Sequence, residues 1–209
     1  MRSSYILAAL FLSCTSASAA TLSFDGDICA GGTSCSNGET VDQSYGDLTG
    51  VDVIYDANVS TAAEENLSYW GAGYETLTGV VYGFSGGGGA SITFEAMAGY
   101  EVSVGGFDLA PYANRVRTTQ VTISELGGGV LYSTGPFVAD TSDVTHFADV
   151  YTSTSGIVLT FGPDAYDIGV DNIEYSASLA TTPAPVPLPA SAVLLLGALG
   201  GLGAMRRRS

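Results

Sequence analysis

Between residues 21 and 178 the chain is a succession of short runs of β-branched and aromatic residues, each stopped by glycine or a polar turn. Helical periodicity is almost absent. This punctuation suits short strands joined by tight reversals, where glycine supplies positive φ, and it is the mark of an antiparallel sandwich or barrel. The runs are TLSF (21–24), GVDVIYD (50–56), LTGVVYGF (77–84), ASITFEAM (90–97), YEVSVGGFDLA (100–110), TQVTISEL (119–126), VLYSTG (130–135), FADVYT (147–152), GIVLTFG (156–162) and IGVDNIEYSAS (168–178). In GVDVIYD, Val51, Val53 and Tyr55 alternate with Asp52 and Ile54, a period-2 pattern with one imperfection.

Gly127, Gly128 and Gly129 between two such runs predict a hairpin, and Gly86–Gly89 reads as a second turn. A phosphate cradle at the tetraglycine would need a helix after it, whereas SITFEAM reads as a strand. The one helical candidate is STAAEENL (60–67), with Ser60 or Thr61 as cap and Glu64 or Glu65 in the first turns. The expected fold is therefore all-β: a two-sheet antiparallel β-sandwich of the jelly-roll kind, flanked by an N-terminal signal helix and a C-terminal apolar helix.

Those flanks read as addresses. Arg2, the apolar YILAALFL and the small residues TSASAA form a secretory signal peptide, with Ala17-Ser18-Ala19 fitting the cleavage rule and Ala20 as mature start. At the other end Ser191–Met205 is apolar or small throughout and is followed by Arg206, Arg207 and Arg208. As a helix it rises about 22 Å, short of the roughly 30 Å hydrocarbon core. The arginines keep the tail on the cytoplasmic side. A sorting signal that is cut away and a permanent single-span anchor both fit this pattern. The resulting division is signal peptide (1–19), sandwich domain (20–179), Pro-rich spacer with motif (180–189) and hydrophobic helix with Arg-rich tail (190–209).

Val186-Pro187-Leu188-Pro189-Ala190, with the apolar run and arginines after it, resembles the VPLPA-CTERM sorting domain, a variant of the bacterial PEP-CTERM tail. The likeness covers about 24 of 209 residues. It implies recognition by an exosortase, a membrane cysteine protease, and transient residence in the inner membrane through the C-terminal helix. It further implies delivery to the envelope, outer surface or extracellular matrix. It implies nothing about the fold that the tail carries.

All 21 acidic residues lie between the two flanks, where Arg115 and Arg117 are the remaining strong cations; the chain has no lysine and one histidine. The domain charge is 2 − 21 = −19, which excludes nucleic acid as a partner by repulsion between polyanions. Cys29 and Cys35, joined by a short glycine-bearing loop, are expected to pair in an oxidising compartment. Zinc would want four ligands, which one histidine and two paired cysteines do not supply.

No catalytic constellation stands out. His146 reads as a surface or edge-strand residue, no G-x-S-x-G elbow is present, and no pair of carboxylates is singled out by its setting. Calcium is the better metal candidate, because Asp164, Asp167, Asp171 and Asn172 cluster near the last run and Asp25 and Asp27 follow the first. If the first and last strands pair, the two clusters meet at one rim; ordinary acidic loop residues are the alternative. The strand outline and the closing DIGVDNIEY are similar to galactose-binding-like carbohydrate modules. That likeness implies a structural calcium and carries Asp25 and Asp171 over as its ligands, with Asn172 beside them.

Trp70, with Tyr69 and Tyr74 in LSYWGAGYETL, suits a loop that stacks on a saccharide ring, or else a plug beneath a loop. The expected function is a non-enzymatic module binding exopolysaccharide. A structural acidic surface protein is the alternative, with a glycan-processing enzyme behind both.

Overall fold

The computed structural model describes residues 17–61, 65–84, 88–140 and 143–181. Most of the signal peptide, the sorting motif Val186–Ala190, the apolar run and Arg206–Arg208 lie outside the described residues. Among the described residues no helix is long and apolar enough to cross a membrane.

The described chain is all-β. Its strands are β1 (Ser18–Leu22), β2 (Val51–Asp56), β3 (Ser68–Trp70), β4 (Val80–Tyr82), β5 (Ala90–Ala96), β6 (Tyr100–Val104), β7 (Phe107–Pro111) and β8 (Arg117–Glu125). They continue with β9 (Val130–Ser133), β10 (Phe137–Ala139), β11 (Thr145–Phe147), β12 (Tyr151–Ser153), β13 (Gly156–Gly162), β14 (Ile168–Asp171) and β15 (Ile173–Leu179). Three antiparallel sheets result: β1-β15-β6-β12, β10-β8-β13-β5-β2 with β9 on β8, and β11-β7-β14-β4-β3.

Two sheets were expected; the third arises from a bend. Residues 100–104 pair with 175–179 and 108–111 with 168–171, and the register matching Tyr175 with Val104 also matches Asp171 with Asp108. Midway, Gly105 N–H donates to Glu174 C=O (2.7 Å) and Glu174 N–H to Gly106 C=O (2.8 Å), while Asn172 is left-handed (φ 53). Each interruption shifts its strand by one residue, which exchanges its faces. Val102 and Val104 therefore face the core before the break and Phe107 and Leu109 after it; on the partner, Val170 is followed by Ile173 and Tyr175. Unbroken alternation over 168–173 would put Asp171 and Ile173 on one face, and the left-handed Asn172 breaks that alternation.

The main core lies between this bent layer and the six-stranded sheet, which contributes Val53, Tyr55, Ile92, Phe94, Ile123, Leu159 and Phe161. Phe94 meets Tyr175 across the interface, with ring centroids 5.0 Å apart. The architecture is sandwich-like. β2 alternates as its sequence predicts, with Val51, Val53 and Tyr55 buried, and Gly127 (φ 68) turns the β8–β9 hairpin.

β14 is buried on both faces, because residues 71–79 fold over the outside of its sheet. There Tyr74, Leu77, Val80 and Ala110 form a second, smaller core with Trp70, Tyr112 and Val144 at its margin. Gly169 makes this possible, since a Cβ there would lie 2.7 Å from both Tyr74 and Val80. The helix expected over 60–67 includes 62–64, outside the described residues. On either side of them Thr61 N–H closes a turn onto Asn58 C=O, and Ala57 N–H donates to Glu65 C=O.

Candidate ligand-binding cleft

The cleft is built where β3, β4 and the loop entering β14 converge. Within β3, side chains alternate: Ser68 and Trp70 face outward to the cleft region, while Tyr69 turns inward and packs against the main core. Tyr69 thus does not join Trp70 in one platform. β3 is held from behind by the N-terminal loop, through Gly38 N–H to Tyr69 C=O (2.8 Å) and Tyr69 N–H to Glu39 C=O (2.8 Å). That loop is pinned by the Cys29–Cys35 disulfide, with Cα atoms 5.3 Å apart.

Five rings form a continuous chain across the outer face. Tyr74 meets Tyr112 at 5.2 Å, Tyr112 meets Trp70 at 5.5 Å, Trp70 meets Tyr82 at 6.2 Å, and Tyr82 meets Tyr166 at 5.7 Å. The contacts run mostly edge to face, the arrangement that ring quadrupoles favour. Tyr74 is buried at 2 % exposure, Trp70 is half-buried, and Tyr166 is 49 % exposed. The array therefore grades from core to solvent, and Trp70 is neither a fully exposed platform nor a sealed plug. Burial pushes the Tyr74 hydroxyl well above its ordinary pKa, with the Tyr82 hydroxyl raised for the same reason.

Beyond Tyr82 and Tyr166 opens a cleft of about 500 Å³ lined by Thr40, Glu65, Asn66, Ser68, Phe84 and Gly83 among others. This is the size range of small-molecule sites. Its walls are tied by Gly83 N–H to Ala165 C=O (2.8 Å) and Phe84 N–H to Ala57 C=O (2.8 Å). Gly83 permits the approach, since a Cβ would come within 2.8 Å of Ala90 and Ala165. Phe84 is 57 % exposed at the mouth. On the far wall Arg117 reaches Asp167 at 2.8 Å and Asp164 at 3.3 Å, bracing the segment that carries Tyr166. The Asp164 carboxyl is raised by burial and by Asp167, against the lowering effect of Arg117.

Backbone strain collects here. Glu75 (φ 49) and Ala113 (φ 57) are two of the three non-glycine residues with positive φ among those described. Each adjoins a ring of the array, and Ala113 N–H donates to Gly73 C=O (2.8 Å), locking the two loops together. Such strain persists only where surrounding structure enforces it, and it concentrates at functional sites.

The polar corner around Asp171 is a separate place. Asp171 is 2 % exposed and accepts Phe24 N–H at 3.0 Å. Its carboxyl is raised to about 6, first by burial and then by the charges of Asp25 and Asp108, against the lowering effect of backbone donors. Of the last acidic cluster, Asp171 comes near Asp25 of the first, while Asp164 and Asp167 lie apart on Arg117, so the two clusters do not meet as whole groups. Each group there has a protein partner: Asp25 accepts from Thr78 (3.1 Å), and Asp108 takes Asn172 Nδ2 (2.8 Å) and His146 Nδ1 (2.7 Å). Among the described residues no group of three or more histidine, cysteine or carboxylate side chains is placed to hold a metal ion, and no cofactor is assigned. His146 sits on the edge strand β11 with its side chain 62 % exposed.

A further depression of about 360 Å³ lies over Ala19, Ala20, Thr21, Ser103 and Ser176, mostly small side chains. Its wall includes Ala19, which the expected signal-peptidase cut removes. The aromatic cleft is the better site on chemistry. Sequence reading reached Trp70 and Tyr74 but missed Tyr82, Phe84, Tyr112 and Tyr166. The available signal was aromatics beside turn residues, in VVYGF, PYAN and PDAYD. No protein-family model and no curated protein matches this chain.

Proposed function

We propose that the protein is exported to the cell envelope or extracellular matrix, where its folded domain binds polysaccharide without chemically altering it. The carrying observation is the aromatic array that opens, through Tyr82 and Tyr166, into the cleft bearing Phe84, Asn66, Ser68 and Thr40. Ring faces and edges take up the apolar C–H faces of sugars, while amide and hydroxyl groups match their hydroxyls. Asp167, which borders the array, and Asp164 beside it are engaged by Arg117, which suits a binding wall better than a pair of catalytic acids.

Export is supported by the signal-peptide pattern, and an oxidising destination by the Cys29–Cys35 disulfide. Delivery by an exosortase-type protease rests on Val186–Ala190 and Arg206–Arg208. The pairing of β1 with β15 supports a jelly-roll-like reading of the sandwich.

Trp70 is the chain's only tryptophan, so its fluorescence reports on the site directly. Titration with a panel of neutral, cationic and anionic oligosaccharides should give a saturable change in emission for at least one class. Tyr166→Ala, an exposed change that leaves the core intact, should weaken that response. A flat titration across the panel would leave a structural acidic surface protein as the better account. Replacing Pro187 and Pro189 with alanine and following the protein by cell fractionation tests the sorting route; unchanged localisation would reject it.

A further inference from the structure

We infer that the cleft selects a glycan carrying free amino groups, of the β-linked glucosamine type, over neutral or uronic-acid polymers; this rests on the polysaccharide reading above. The observations are of charge. Glu65 and Asp167 border the aromatic array and cleft, and among the described residues no arginine or histidine lines either. Arg117 lies behind Asp167, but its charge is taken up by Asp164 and Asp167 together. In the loop over the array Glu75, next to Tyr74, holds a buried carboxylate oxygen without a hydrogen-bond partner.

An ammonium group fits these surroundings in two ways. It is attracted by Glu65 and by the one net negative charge that Asp164 and Asp167 leave over Arg117, and it is attracted by the faces of Tyr82, Tyr166 and Trp70. A uronate is opposed on both counts, and by the domain charge of −19 (two arginines against 21 acids). A neutral sugar gains the ring contacts alone. The same polarity keeps the protein off acidic exopolysaccharide while allowing it to hold amine-bearing chains, an instance of selectivity by repulsion.

The full secreted chain would be titrated with a glucosamine hexamer, its fully N-acetylated counterpart and an alginate oligomer, following Trp70 emission. At low salt (~20 mM) the amino hexamer should bind about tenfold tighter than the acetylated one, and the difference should shrink at ~500 mM salt. Glu65→Gln, on the cleft wall, should reduce the preference for the amino hexamer over the acetylated one. Asp52→Asn, an equal loss of charge on the exposed face of β2, should leave the preference intact.

Equal or tighter binding of the acetylated hexamer would overturn the amino-sugar assignment while keeping the polysaccharide reading. Equal losses in Glu65→Gln and Asp52→Asn would overturn it too, because the attraction would then belong to the whole anionic surface. Failure of all three oligomers to bind or to shift Trp70 emission would remove the polysaccharide reading itself for these classes.

Discussion

The Asp171 carboxylate accepts the backbone N–H of Phe24 at 3.0 Å, joining positions 147 residues apart in the chain. The bond ties the segment just after β1 to the bend between β14 and β15. It does so with a charged group that is 2 % exposed, and this has a consequence for pH. Burial first, then Asp25 and Asp108, raise the folded-state pKa from 3.8 to about 6. The folded form thus holds the proton more tightly than the unfolded chain. Asp171 weakens the fold fully above its folded pKa, and that penalty is relieved as pH falls through about 6 towards 4.

Asp171→Asn keeps an oxygen to accept the Phe24 N–H and removes the charge. Thermal unfolding near pH 7.5 should show the variant more stable by about 1–2 kcal/mol, with the gap closing at about pH 4. Parallel stability–pH curves for the two proteins would show that Asp171 is not the titrating group.

Gly169→Ala should cost about 1–3 kcal/mol, the usual range for overpacking. The added Cβ meets Tyr74 and Val80 at 2.7 Å, so the 71–79 loop has to lift and Trp70 becomes wetter. Urea melts give the energy, and a red shift in emission gives the place. A loss of stability without a change in emission would locate the strain elsewhere.

Reduction of Cys29–Cys35, or the paired change to serine, should remove about 2 kcal/mol, as expected for so short a closed loop. The loss should be felt at β3, which leans on this loop through Tyr69. Hydrogen exchange at the amides of residues 38, 41 and 69 should quicken more than at β13. Uniform quickening would indicate global destabilisation only.

Arg117→Met keeps the aliphatic stem and removes the charge between Asp164 and Asp167. The two carboxylates then repel, and the variant should lose about 1–2 kcal/mol, part of it recovered at high salt by screening. Faster amide exchange over residues 164–167 is the matching local sign. No salt rescue would mean that packing, and not charge, was lost.

Much of the layer structure was legible before any coordinates. Strand alternation in β2, the β8–β9 turn and the disulfide all follow from local chemistry. The bend was legible in part. Hydrophobic spacing slips from two to three at Val104 to Phe107 and again at Val170 to Ile173, which is the trace of a bulge in each strand. Unbroken alternation would put Asp171 on the face of Ile173, and the bulge at Asn172 prevents it. β3, β10 and β11 have three residues each, too few for any periodicity to register. Of the aromatic array, local reading reached only Trp70 and Tyr74. Its rings come from four separate stretches of chain, and only tertiary pairing shows that Tyr112 and Tyr166 belong beside Trp70.

The long pair of residues 100–111 and 168–179 has the aromatic cleft near one end, beside Tyr112 and Tyr166, and the chain's exit past Leu179 at the other. A pull on the C-terminal side, resisted by a ligand in the cleft, would run along β15. Ladder hydrogen bonds stand across the strand direction, so such a tension would load the β15 bonds to β1 and β6 together instead of peeling them in turn. Under the proposed function, the domain would act as a shear-loaded link, with the proposed grip and the proposed tether at opposite ends of one strand pair.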